Sequence, residues 1–336
     1  MKTPLAPYKT LKNRLPRLML AMVLANAVAL ACSIARASES DSQYCVTDMN
    51  DRAVCLDTRS PRIISLSPGS TELLFAAGAG DRVIAVDQHS DFPEAVKQLP
   101  NVGGYPNVSV EAIVAMKPDL VVVWTAGNSQ KLIEQLESLG ISTFHIDVVD
   151  FTGIKQALRS LGQVAGTVKT AEQVVGDFTA RLHTLQSQYA RRELVSVFFE
   201  IWRSPLMTVG NGLVIDDVIS LCGGRNIYGD VSERIPKIGI ESLITRDPQV
   251  IIGSDPQGDT PQTRKALLGY WSQWQNLQAV QRQQLFSVPS DLIARPTPRI
   301  LDGAEMICRQ LQAVRSKASH AERMAAQIPL HQENPL

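Results

Sequence analysis

Two glutamates occupy matching places in an internal repeat. The segment 108–122, VSVEAIVAMKPDLVV, returns 130 positions later as 238–252, IGIESLITRDPQVII. Glu111 and Glu241 each open the helical part of their copy, a proline follows (Pro118, Pro248), and a β-branched apolar run closes the unit as a buried strand. A carboxylate in a helix's first turn is stabilised by the helix dipole and needs no partner to justify it. Two in equivalent positions serve one purpose: they are acidic handles for a two-fold symmetric partner that offers a basic pocket to each. A further set of side chains has the chemistry of ligand contact. It comprises Ser67 in the run SPGSTE, His89 and Asp91, Tyr105 after two glycines, Trp124 ahead of Gly127 and Asn128, the Trp202 loop, and the loop from Asp291 to Arg295. Each also has a plain structural reading: a helix cap for Ser67, a strand-end plug for Trp124, a solvated cation for Arg295.

These residues gain meaning from the elements that carry them. Buried strands are expected at 62–66, 83–86, 119–124 and 143–146, alternating with helices at 72–77, 110–116 and 129–139, which makes an α/β lobe with a largely parallel sheet. From 170 to 191 the residues Ala171, Val174, Phe178, Leu182, Leu185 and Tyr189 recur at helical spacing. A helix of that length reaches about 33 Å and can join two lobes with little hinge motion. The second lobe reads as strand 194–201, helix 213–221, the repeated unit, strand 285–288 and a closing helix at 299–314. The Gln-rich stretch 273–284 reads as helix and the tail beyond Lys317 as polar and loose. In parallel α/β sheets ligands collect outside the carboxyl ends of the strands, and the ligand-contact candidates fall at that edge.

The amino terminus reads as an export signal. Lys2, Lys9, Lys12, Arg14 and Arg17 precede 14 apolar-rich residues, 18–31, and Ala35-Arg36-Ala37 offers a cleavage site. The run is short of the roughly 20 residues that span a bilayer. The sequence around Cys32 bears only a faint likeness to a lipid-anchor signal, so an anchor there is not expected. Without 1–37 the chain carries 27 Lys+Arg against 33 Asp+Glu, a balance that argues against nucleic acid as partner. Four cysteines remain, as disulfide pairing in an exported chain requires. Cys45 and Cys55 bracket a hairpin, which leaves Cys222 to pair with Cys308. The expected organisation is signal peptide 1–37, hairpin extension 38–60, first lobe 61–166, linker helix 167–192, second lobe 193–316 and tail 317–336.

Enzymatic patterns do not assemble: the chain has no Gly-x-Ser-x-Gly elbow, Gly-x-Gly-x-x-Gly opening, phosphate loop or His-Glu-x-x-His. A bare metal site would draw on His89, His145, Asp147 and Asp291, which lack paired spacing. No catalytic residue, resident cofactor or metal ligand is assigned.

As a set, the runs 61–78 (PRIISLSPGSTELLFAAG), 89–93 (HSDFP), 111–123 and 221–227 (LCGGRNI) resemble the periplasmic vitamin B12-binding proteins of ABC importers. The resemblance runs from about 62 to 314. It implies an α/β fold of two Rossmann-like lobes joined by one long rigid helix, the class III periplasmic binding protein architecture. It also implies a periplasmic monomer that holds a corrinoid in its cleft and hands it to a permease dimer. Carried over by position, ligand contacts fall on His89, Tyr105 and Trp124 in the first lobe. In the second they fall on Met207, Ile235 and the loop from Asp291 to Arg295. Ser67 joins Asp291 and Arg295 as a contact for the corrinoid's peripheral amides. The family places further aromatics where this chain has His89, Tyr105, Met207 and Ile235, so the stacking surface is thinner. A neutral imidazole at His89 could also become an axial ligand to cobalt. Glu111 and Glu241 take the role of permease-docking residues, and the family disulfide coincides with Cys222–Cys308. The alternatives are the same fold carrying a ferric siderophore or haem and, from another class, a secreted enzyme.

Overall fold

A computed structural model describes residues 44–326 of the chain. The export signal, its cleavage site and Cys32 lie outside the described residues. The described part opens with a hairpin of β1 (Tyr44–Thr47) and β2 (Ala53–Leu56), cross-linked by Cys45–Cys55. Asp48 holds its turn, accepting from the backbone N–H groups of Asn50 and Arg52 at 2.9 Å each.

The first lobe is built on β3 (Ile63–Ser65), β4 (Val83–Val86), the two-residue strands β5 (Gly103–Gly104) and β6 (Asn107–Val108), β7 (Leu120–Trp124) and β8 (Thr143–Ile146). Four of these form a parallel sheet in the order β4-β3-β7-β8. Its strands are buried on both faces, and only β8 alternates polar with apolar residues, through Thr143 and His145. The helix after β3 is Pro68–Ala76, one turn earlier than its residue pattern foretells. Pro68 takes the first helical position, where its missing N–H costs nothing, and Ser67 caps it. The hairpin rests on the β8 edge, where Met49 N donates to His145 O at 3.1 Å and Asp48 Oδ2 accepts from His145 N at 3.2 Å. That edge is thereby closed to strand addition.

The linker helix is Val168–Tyr189, 22 residues long, and buries Ala171, Val175, Phe178, Leu182 and Leu185. The inward stripe thus runs through Val175, and Val174, which the helical spacing points to, is half-buried. A second helix, Phe151–Val164, escaped the sequence reading and packs along the linker. At Gly162 a Cβ would lie 2.4 Å from that of Ala171, so this close approach requires glycine.

The second lobe carries β9 (Val195–Arg203), β10 (Leu206–Thr208), β11 (Gly224–Asn226), β12 (Val250–Asp255) and β13 (Leu285–Pro289). β9, β12 and β13 run parallel, β11 joins the start of β9 in parallel, and β10 returns antiparallel on its far end. The succession β9-β12-β13 repeats β3-β7-β8 of the first lobe. The repeat is therefore structural: Ile113 and Leu243 are both fully buried, as are Val121 and Ile251, each in its own lobe's core. Cys222–Cys308 ties the helix Val214–Leu221 to the closing helix. The closing helix, Ile300–Ala326, continues past Lys317, where the sequence reading expected a loose tail. In the Gln-rich stretch only Gln278–Gln281 is helical; before it the rings of Trp271 and Trp274 pack at 5.1 Å. No helix among the described residues is long and apolar enough to cross a membrane.

Candidate functional site

A cavity of about 220 Å³ lies between the lobes at the carboxyl ends of β3, β7 and β8. Ser67, Leu73, Trp124 and Val148 line it from the first lobe, Arg295 and Pro296 from the second. It forms the apolar floor of the site. Trp124 ends a strand whose four preceding residues are fully buried, yet it is 45 % exposed itself. The turn after it explains the exposure. A Cβ at Gly127 would fall 2.0 Å from Trp124 Cε3, so the indole lies against this glycine. Trp124 N donates to Asn128 Oδ1 at 2.7 Å, and Asn128 Nδ2 donates to Leu66 O at 3.2 Å. The ring is a pinned platform, pre-organised at little entropic cost for a flat apolar ligand.

His89, Tyr105, Met207 and Ile235 do not line this cavity, and Tyr105 instead borders a first-lobe pocket with Val108, Asn128 and Leu132. His89 and Tyr105 stand exposed on neighbouring segments; a Cβ on Gly104, next to Tyr105, would lie 2.5 Å from Asp87 Oδ2. His89 N donates to Asp87 Oδ1 at 2.8 Å, and its ring Nε2 is 3.0 Å from Gln88 Nε2. From the second lobe, Met207 pairs with Trp202 in the β-ladder and bridges to Lys237. The segment carrying Ile235 runs along β10, with Thr208 N donating to Pro236 O at 3.2 Å. Arg234 reaches Asp147 across the lobes at 3.5 Å, which brings Ile235 near the end of β8. Tyr105 and Ile235 are themselves 130 residues apart, each three positions ahead of its copy of the repeat, and both are exposed.

Ser67 is used as a cap: its Oγ accepts from Ser70 N at 3.2 Å and donates to Ser70 Oγ at 2.8 Å, with the residue only 6 % exposed. Arg295 and Asp291 belong to an ion network that sequence reasoning missed. Glu72, on the first helix, has its side chain 2 % exposed and accepts from Arg295 Nη1 at 2.9 Å, Arg299 Nη1 at 3.1 Å and Thr297 Oγ1 at 2.9 Å. Arg295 Nη1 also meets Asp91 at 2.6 Å, and Arg299 Nη2 meets Asp291 at 2.6 Å. Arg299 lies 3.8 Å above the ring centre of Phe92, again across the lobes. Burial pushes the Asp91 carboxyl upward, but the Arg295 bond and charges outweigh it and hold Asp91 below the usual carboxylate range. Burial likewise works against the Arg295 cation, and the bonds to Asp91 and Glu72 more than restore it.

The four residues of the bare-metal reading stand in separate settings. His145 faces Asn50 and Arg52, Asp147 pairs with Arg234, Asp291 with Arg299, and His89 sits beside Gln88. Among the described residues no group of three or more His, Cys, Asp or Glu side chains is placed to hold a metal ion.

Two lobes of largely parallel sheet, one joining helix and a cavity between them bordered by Trp124 define a two-lobed ligand-binding protein. Residues 63–292 match the periplasmic binding protein family, and the chain belongs to it. The "Vitamin B12-binding protein" of Vibrio campbellii is 36 % identical over 259 residues, covering 76 % of this chain and 91 % of that one. Its namesake in Yersinia pestis is 36 % identical over 257 residues, 75 % and 87 % of the two chains. Among solved structures, the periplasmic vitamin B12 binding protein BtuF of Vibrio cholerae superposes with a TM-score of 0.69 at 32 % identity, over 76 % of this chain and 98 % of that one. The haem-binding protein RhuT of Roseiflexus, at 22 % identity and a TM-score of 0.67 over 76 % and 99 %, shares the fold.

Proposed function

We propose that this chain captures a cobalamin-type corrinoid in its inter-lobe cleft and delivers it to an inner-membrane ABC transporter, without covalent chemistry. The observation that carries the reading is Trp124, a pinned aromatic platform above an apolar floor in a chain whose vitamin B12-binding relatives reach 36 % identity. Trp124 and Tyr105 cover apolar parts of the macrocycle, and Met207 and Ile235 close on it from the second lobe. Arg295, with Nη1 held by the two carboxylates, offers its remaining N–H groups to peripheral amides. Asp291 and Ser67, both engaged within the protein, shape the floor around it. His89 is the imidazole available to a cobalt centre from the first-lobe rim. Glu111 and Glu241 engage cationic groups on the two permease subunits.

The test is a titration of the purified protein with cobalamin, cobinamide, haem and a ferric hydroxamate, followed by visible absorbance. A corrinoid is expected to bind most tightly and to be recovered unchanged on denaturation, with Trp124→Ala weakening it roughly tenfold or more. Tighter binding of haem or of the ferric hydroxamate would overturn the cargo, and chemical turnover would overturn the binding-protein reading. The same titration on His89→Ala decides axial ligation: a bound-corrinoid spectrum identical to the parent's removes that role.

A further inference from the structure

We infer that Val114 and Ile244 complete, with Glu111 and Glu241, two equivalent amphipathic patches. Each fits a small apolar socket beside a cationic side chain on a two-fold symmetric, membrane-embedded partner. The helices Val110–Met116 and Ile240–Arg246 are both seven residues long. Each is closed by a residue of left-handed backbone, Lys117 at φ 48° and Asp247 at φ 38°. Each buries its fourth residue, Ile113 or Leu243, completely. The opposite face of each is exposed and carries a glutamate, then three residues on a large β-branched side chain, then a small residue, Ala115 or Thr245. Residues three apart on a helix share a face, so carboxylate and apolar group form one patch.

Val114 is 44 % exposed and Ile244 40 %. A solvated helix face is better served by long polar side chains on both helix propensity and solubility. Neither residue lines the inter-lobe cavity, whose exposed large apolar side chain is Trp124. Single exposed apolar residues are ordinary on protein surfaces. A matched pair, each one turn from a matched carboxylate in separate lobes, is the pattern that a two-fold partner reads, because one subunit's socket then serves both patches. The carboxylates supply attraction and register at long range, and the apolar groups supply buried area at contact.

The patches rest on the delivery reading, and the experiment separates their failures. The corrinoid-loaded protein is passed over its cognate transporter in lipid nanodiscs, and affinity is measured at low and high salt. Val114→Ser with Ile244→Ser is expected to weaken docking roughly tenfold without changing its salt dependence, since no charge is altered. Val114→Leu with Ile244→Leu is expected to keep docking, which separates lost apolar area from any disturbance of the helices. Glu111→Gln with Glu241→Gln is expected to weaken docking and flatten the salt dependence. Parental binding in the serine variant would overturn the patches alone. A parent chain that does not bind the transporter would overturn delivery and the patches together.

Discussion

Glu72 holds a negative charge at 2 % side-chain exposure, and the charges that compensate it, Arg295 and Arg299, come from the other lobe. Removing one partner of such a buried group leaves the others uncompensated, a loss on the order of 3 kcal/mol. Glu72→Gln keeps the shape and deletes the charge. It is expected to lower the unfolding free energy by about that amount in urea titrations, and a change under about 0.5 kcal/mol would show that the cluster is peripheral to stability. The exposed end of the network, Asp91, contributes far less because solvent screens it. Residue-scale chemistry was legible in the sequence only where it is local. Trp124, Gly127 and Asn128 form their platform within five positions of chain, and an aromatic at the end of a buried strand ahead of Gly-Asn announces it. Glu72 and Arg295 stand 223 positions apart, so Arg295 read as a donor aimed at a ligand where the fold commits Nη1 to two carboxylates.

Among the contacts of the opening hairpin with the first sheet, one is to a buried imidazole. His145, 5 % exposed on β8, is bonded by Arg52 and Asn50 of the hairpin, while Arg52 also pairs with Glu137 at 2.8 Å. Burial first, and the Arg52 cation second, hold His145 below its ordinary value of 6.5, against the pull of Asp48 and Glu137. The folded protein therefore keeps the ring neutral where the unfolded chain takes up a proton. Stability is fully present above 6.5, falls as pH drops through that value, and stops falling once pH passes the folded value. The urea midpoint of the parent is expected to drop more between about pH 7.5 and about pH 5.5 than that of His145→Gln, and equal slopes would remove His145 as the cause. Elements were legible where the periodicity is clean. The repeated helix-strand unit is one case, and the linker is another except for the choice of Val174 over Val175. The helix Phe151–Val164 was not legible, because Gly153 and Gly162 lower its helix propensity and its partner face exists only once the linker packs on it.

Across the whole molecule, the equivalent strand successions place the two first-turn glutamates identically within their lobes, each on the helix that feeds the second strand of that succession. The lobes are then held to one another by the linker helix, by Glu72 with its two arginines, and by Arg181 of the linker, which meets Asp302 at 2.6 Å and Glu305 at 3.2 Å on the closing helix. A frame tied at several points presents its two carboxylates at a fixed spacing, as the proposed delivery to a symmetric transporter requires. Both glutamates are exposed, and neither lines the inter-lobe cavity. Reversing them should separate capture from delivery. Glu111→Lys with Glu241→Lys is expected to abolish corrinoid uptake by cells that depend on this chain, because two repulsive contacts replace two attractive ones. Corrinoid affinity of the same purified variant is expected to stay within about twofold of the parent, since sites without shared partners act independently. Each single reversal should leave partial uptake, the other handle still engaging its subunit. A purified double variant that has lost corrinoid binding would place the two glutamates in the ligand site and dissolve the division of labour between cleft and handles.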